Sequence, residues 1–179
     1  MKAISYGAAI AMSILLTGCP TRSLFPLFSE KDVKFKPELI GTWSLEQDGS
    51  TLSFEKSSEK SYTVVFKDKK EEVYHVQMGR LGKFWFLDSS PAKDESDYHM
   101  IPTHIISKIK LDGDTLQISF LESDRLRDLI DAHKLNVAHV HRNNEIILTA
   151  STGELQDLVL RLADDEEAFP KPDSFVRVK

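Results

Sequence analysis

The sequence predicts a mainly β protein: an antiparallel meander curling into a barrel, accompanied by two amphipathic helices. Three observations carry this. Short runs between residues 39 and 120 alternate apolar and polar side chains, the pattern of strands that bury one face and wet the other. Turn residues separate these runs at short intervals. Two later stretches change to helical spacing. A meander of about nine or ten short strands closes on itself to remove its exposed edges, with the helices plugging or flanking the barrel. The domain read from these patterns is one β-rich domain over residues 38–179.

Along the chain, Leu39, Gly41, Trp43 and Leu45 fall on one face of the first strand, and Leu52 with Phe54 on the next. Tyr62, Val64 and Phe66 alternate in a third run, and Tyr74, Val76 and Met78 in a fourth. Asp48-Gly49 and Gly79-Arg80-Leu81-Gly82 supply turns. The unbroken apolar run Phe84-Trp85-Phe86-Leu87 predicts a strand buried on both sides. Residues 105–111 and 116–120 flank Asp112-Gly113-Asp114 as a hairpin. Ser123 is a candidate cap for a helix through Leu126, Leu129, Ile130 and His133. Residues 137–142 and 145–150 make a second hairpin around Asn143-Asn144. Ser151 with Glu154 forms a capping box ahead of Leu155, Leu158, Val159 and Leu162, an amphipathic stripe. Residues 175–178 read as a closing strand.

Length, 179 residues, allows one domain with enough core to stand without staples, and 41% hydrophobic with 28% charged residues is an ordinary globular mixture. The net charge of −5 argues against a nucleic-acid binder, which needs a basic face to displace phosphate counterions. One cysteine excludes an intramolecular disulfide and a cysteine-cluster metal site.

That cysteine sits where it carries information. Met1-Lys2 begins with a positive charge, no charged side chain follows from Ala3 to Pro20, and the apolar stretch is short for a spanning helix. It ends in Leu16-Thr17-Gly18-Cys19. This resembles the lipobox of bacterial lipoprotein signal peptides. The resemblance implies a signal peptide over residues 1–18 cleaved before Cys19, a diacylglycerol on its thiol, acylation of the new amino group, and a lipidated tether over residues 19–37. Two or three chains anchor durably, because each buried methylene adds about 0.8 kcal/mol. An uncleaved membrane helix and plain secretion are the alternatives. Pro20, rather than an aspartate, follows the cysteine, and this points to the outer membrane over the inner one. Prolines at 20, 26 and 37 interrupt the next segment, which reads as a tether reaching at most roughly 60 Å. Within it, Leu24-Phe25-Pro26-Leu27-Phe28 is strongly apolar. It either packs on the domain as a lid or edge, or makes a second contact with the membrane or a partner.

Gly41-Thr42-Trp43 resembles the first-strand G-x-W of lipocalin and fatty-acid-binding-like barrels. The resemblance implies a barrel and casts Arg177 as the late arginine that packs over the tryptophan. The helix between strand pairs departs from that family. Ile101-Pro102-Thr103-His104 and the segment 148–156 are also similar to uncharacterised bacterial lipoproteins with a GTW strand, a group that implies no activity.

The search for chemistry returns little. His139-Val140-His141 places two imidazoles on one strand face, but a zinc site needs a third and usually a fourth ligand. His75, His99, His104 and His133 have no sequence relation to that pair, and no metal or cofactor is expected. Nucleophile-elbow, zincin and phosphate-loop motifs are absent. Residues 88–97 read as a polar loop, and Asp164-Asp165-Glu166-Glu167 as a solvated, fraying helix end. Trp43, Phe54, Phe66, Phe84, Trp85, Phe86 and Phe120 either fill the barrel or line a ligand cavity in it, with Trp43, Phe54, Phe66, Trp85 and Phe120 the candidate ligand contacts. The expected function is therefore a non-enzymatic, lipid-anchored extracytoplasmic protein with an envelope structural or protein-contact role. The alternative is a module that binds a small apolar ligand inside its barrel.

Overall fold

A computed structural model describes residues 19–92, 101–142 and 145–179. The chain enters the fold at once. Pro20 bridges to Glu122, Thr21 N–H donates to Leu121 O (2.7 Å), and β1 (Arg22–Ser23) follows directly. Leu27 and Phe28 are buried, and β2 (Val33–Lys34) pairs with a later strand. The segment read as a tether is therefore a strap bound to the domain. The physical reason lies in its own apolar side chains, whose burial is worth roughly 1.5–3 kcal/mol each.

After a 3-10 turn (Pro37–Leu39), the meander runs β3 (Gly41–Leu45), β4 (Thr51–Lys56), β5 (Ser61–Lys67), β6 (Glu71–Leu81), β7 (Phe84–Pro91), β8 (His104–Asp112) and β9 (Thr115–Phe120). α1 (Ser123–Asp131), the hairpin β10 (His139–Arg142) and β11 (Glu145–Leu148), and α2 (Thr152–Leu162) come next. β12 (Asp173–Arg177) then slots antiparallel between β3 and β9, and β8 pairs with β9. These pairings close an eight-stranded antiparallel barrel from β3 to β9 plus β12. The lower end of β8 pairs instead with β1, which pairs in parallel with β11; β10 lies at the outer edge of this side sheet.

Two apolar cores result. The barrel interior is filled by Trp43, Phe54, Tyr62, Met78, Leu116 and their neighbours. A second core lies outside the barrel, where α1, α2 and the strap cover Phe86, Ile106, Ile146 and Leu148. β7 belongs to both, with Phe86 facing the helices and Leu87 facing the interior, as its continuous apolar run predicts. The helices thus flank the barrel.

Several boundaries differ from expectation. β7 continues through Pro91, so the first four residues of the expected 88–97 loop are strand, while 93–97 lie outside the described residues. β6 runs on through Leu81 and turns at residues 82 and 83. Gly79 serves another purpose: a Cβ there would lie 2.4 Å from the Phe28 ring. The strap seats its phenylalanine on that bare backbone. Glu122, not Ser123, stands at the N-cap position of α1, where its side chain makes no capping hydrogen bond, and that helix ends before His133. The Ser151–Glu154 capping box on α2 is present in both directions. Asn143-Asn144 lie outside the described residues. Two of the twelve strands, β1 and β2, are two-residue pairings inside the strap, where no alternation is long enough to read.

Candidate functional site

The ladder between β7 and β8 stops at Trp85–Ile109, although β7 goes on pairing with β6 and β8 with β9. At this unpaired stretch of the rim opens a cleft of about 780 Å³. Its walls draw on both cores. Leu39, Trp85, Ile109 and Leu111 belong to the barrel interior, and Phe84 and Phe169 to the helix-covered core. Residues 166–172, the link from α2 to β12, form the far wall.

Five lysines surround this apolar floor, against the single carboxylate of Glu166: Lys36, Lys83, Lys108, Lys110 and Lys171. Four of them are held there for a local reason. The Tyr62 hydroxyl, buried in the barrel, accepts from Lys36 N–H (2.7 Å) and donates to Lys36 O (3.2 Å). That pins the backbone so that Lys36 Nζ lies 4.2 Å from the Trp85 ring centroid. Burial and the hydrogen bonding at Lys36 act oppositely on Tyr62, and burial wins, raising its pKa. Lys83 occupies the β6–β7 turn and pairs with Asp164 at 3.4 Å. Lys108 and Lys110 alternate with Ile109 on β8 and so share its outer face. Lys108 Nζ donates to Ala163 O (2.7 Å) at the C-terminal cap of α2, a favourable place for a cation. Burial pushes the Lys108 pKa down, against the opposing pull of Asp164 and Glu166. Among the described residues, only Lys83 of the five has a carboxylate within ion-pairing distance.

Of the aromatic residues expected to line a cavity, Phe84 and Trp85 reach this cleft, while Phe86 packs in the helix-covered core. Trp43 and Phe54 are packed in the barrel interior, Phe66 is half-buried on β5 and Phe120 is exposed at the end of β9. The alternation that identified them selects core positions, and in a small barrel those positions are filled by side chains. The lysines were visible as outward residues of a basic-hydrophobic strand, Lys108-Ile109-Lys110. Nothing linked them to Lys36, Lys83 and Lys171.

Other polar clusters hold the fold together. Asp88, buried on β7, accepts from Leu27 N–H (2.6 Å) and lies 2.6 Å from His104 Nδ1, tying the strap to β7 and β8. Gln156 of α2 donates to Leu27 O (2.9 Å), and Thr152 to Pro26 O (2.7 Å). His139 and His141 face each other with Nε2 atoms 3.2 Å apart, and His139 Nδ1 bonds to Val137 O. Among the described residues no three histidines, cysteines or carboxylates come together to hold a metal. Asp165 and Glu167, in the acidic run expected to be solvated, ion-pair with Arg125 of α1. α2 ends at Leu162, before that run.

Cys19 is exposed, and its carbonyl accepts from Ser123 N–H (3.2 Å). Glu122 N–H in turn donates to Ala168 O (3.0 Å), next to Phe169 in the cleft wall. Arg177 stands 4.1 Å from the Trp43 ring centroid, in the position expected of it. Among the described residues no helix is long and apolar enough to cross a membrane.

Barrel and cleft together define an eight-stranded closed antiparallel β-barrel with a basic, aromatic-floored opening at its rim. Compared with known proteins, the chain matches no family model, no curated protein and no solved structure.

Proposed function

We propose that the chain is a lipid-anchored, non-enzymatic protein of the bacterial cell envelope, attached through Cys19 to the outer membrane rather than the inner, and that it holds a small ligand with an apolar part in the rim cleft. The observation that carries the binding half is the cleft itself, whose volume falls within the roughly 300–1,000 Å³ of small-molecule sites and whose floor is aromatic and aliphatic. Its place differs from the barrel interior, which its own side chains occupy. The anchoring half rests on Leu16-Thr17-Gly18-Cys19 and gains support from the exposure of Cys19 beside the first bridge of the fold. A second reading, contact with an envelope protein, is favoured by β10, an outer-edge strand with Val140 exposed, which offers a backbone for strand addition.

Two measurements test the proposal. Cells fed labelled palmitate should label the wild-type protein and leave Cys19→Ala unlabelled; persistent labelling of the variant refutes the anchor. Native mass spectrometry of the detergent-extracted protein should find a co-purified small molecule, lost when Trp85→Ala opens the cleft floor. A protein partner in its place, displaced by Val140→Lys, favours the second reading.

A further inference from the structure

We infer that His139 and His141 are half of a zinc site, completed by the same two histidines of a second copy of the chain paired along β10. This goes beyond the binding function proposed above and is independent of the cleft. His139 Nδ1 lies 2.8 Å from Val137 O, and a carbonyl only accepts, so the neutral ring carries its proton on Nδ1 and keeps a lone pair on Nε2. Metal-binding imidazoles are oriented by a second hydrogen bond of this kind. The Nε2 atoms of His139 and His141 stand 3.2 Å apart. With Zn–N bonds of about 2.0–2.1 Å, that separation subtends roughly 100–105° at a single ion, near the tetrahedral angle. Without metal the contact is a hydrogen bond, and His141 Nε2 is its donor. When zinc binds, that proton passes to Nδ1 of the same ring and the ion takes its place between the two nitrogens.

Two ligands leave a zinc ion half coordinated. Among the described residues no third histidine, cysteine or carboxylate joins the pair. The missing half must come from outside the chain, and the backbone of β10 says from where.

Among the described strands β10 pairs with β11 alone. Thr149 N–H donates to Ala138 O (2.8 Å), one step before the His139–Leu148 pair, so the hydrogen bonds to β11 fall on residues 138, 140 and 142. The N–H and C=O groups of His139 and His141 therefore point away from the sheet, along its edge. A second β10 laid antiparallel, with Val140 against Val140, lets every one of those groups pair. This register sets each His139 opposite a His141, and opposite residues share a face, so both pairs of imidazoles stand together. Val140, 47% exposed, meets its own copy on the other face. Arg142 falls opposite Ala138, so no like charges are brought together. The edge offered above to an envelope protein is thus self-complementary, as a two-fold contact requires.

The test uses the full chain in a neutral non-ionic detergent, stripped with EDTA and titrated with zinc, its mass and metal content read by native mass spectrometry. The wild type should pass from monomer to a dimer holding one zinc per two chains. His139→Gln and His141→Gln should each raise the zinc midpoint by at least about tenfold, the least that loss of even an outer-shell partner costs a metal site. Val140→Lys keeps all the ligands but sets like charges against each other, and should also shift the dimer to higher zinc. Zinc carried one per chain by a monomer, or no uptake of zinc, overturns the inference. So does a dimer that forms equally in EDTA or in the double variant His139→Gln/His141→Gln, or a different protein bound at this edge without metal.

Discussion

Arg177 joins three parts of the barrel through one guanidinium. It stacks over Trp43, donates to Ile40 O (2.9 Å) and Glu38 O (2.5 Å), and pairs with Asp114 at 3.2 Å. Gly41 makes room for it: a Cβ there would lie 2.9 Å from Nη1, and its φ of +124° is one that L side chains rarely adopt. Arg177→Leu should lower stability by about 2–3 kcal/mol, the sum of a half-buried cation–π contact and charged hydrogen bonds, read as a fall in the urea midpoint. Arg177→Lys should recover little, because an ammonium cannot bridge both carbonyls and stack. Trp43 and Arg177 were legible from the sequence because a resemblance tied them together across the chain. Asp88 was not. Its charge placed it in a loop, whereas its burial depends on a backbone N–H contributed 61 residues away by Leu27.

At the scale of elements, the strap shows what periodicity cannot read. Pro26, Leu27 and Phe28 follow neither a helical nor a strand pattern, yet Leu27 is fully buried and Phe28 nearly so, because the site that receives them is made by β6, β7 and α2. Gly79→Ala should unseat the Phe28 ring and cost about 1–3 kcal/mol, typical of overpacking, with faster proteolysis near residue 28 as the local readout. α1 and the link after α2 are joined electrostatically. Burial alone would raise the Asp165 pKa, but Arg125 and the N–H groups of Glu167 and Ala168 together hold it below the usual range. A depressed carboxyl pKa contributes stability that is present above the unfolded value of about 3.9 and is lost as pH falls through the folded value. Asp165→Asn should therefore cost roughly 1 kcal/mol at pH 7. The gap from wild type in thermal unfolding should narrow below about pH 4; a gap that stays constant would assign Asp165 a purely steric role. α2, by contrast, was fully legible, since its capping box and apolar stripe are local in sequence.

At the scale of the molecule, the barrel class followed from the meander, because strands that alternate need a common inside. The cleft did not, because its lysines come from five separated positions and meet only where one ladder ends early. The closure itself has a consequence for how the protein is made. β12 inserts between β3 and β9, pairing Arg177 with Trp43, so a strand made late closes the barrel against one made much earlier. A nascent chain is therefore an open ribbon with two bare margins until β12 has emerged. It becomes a rigid body only when that strand has docked. Removing residues 173–179 should leave a sticky species, seen as aggregates and rapid degradation; a truncated chain that remained monomeric and protease-resistant would mean the ring can hold without its final stave.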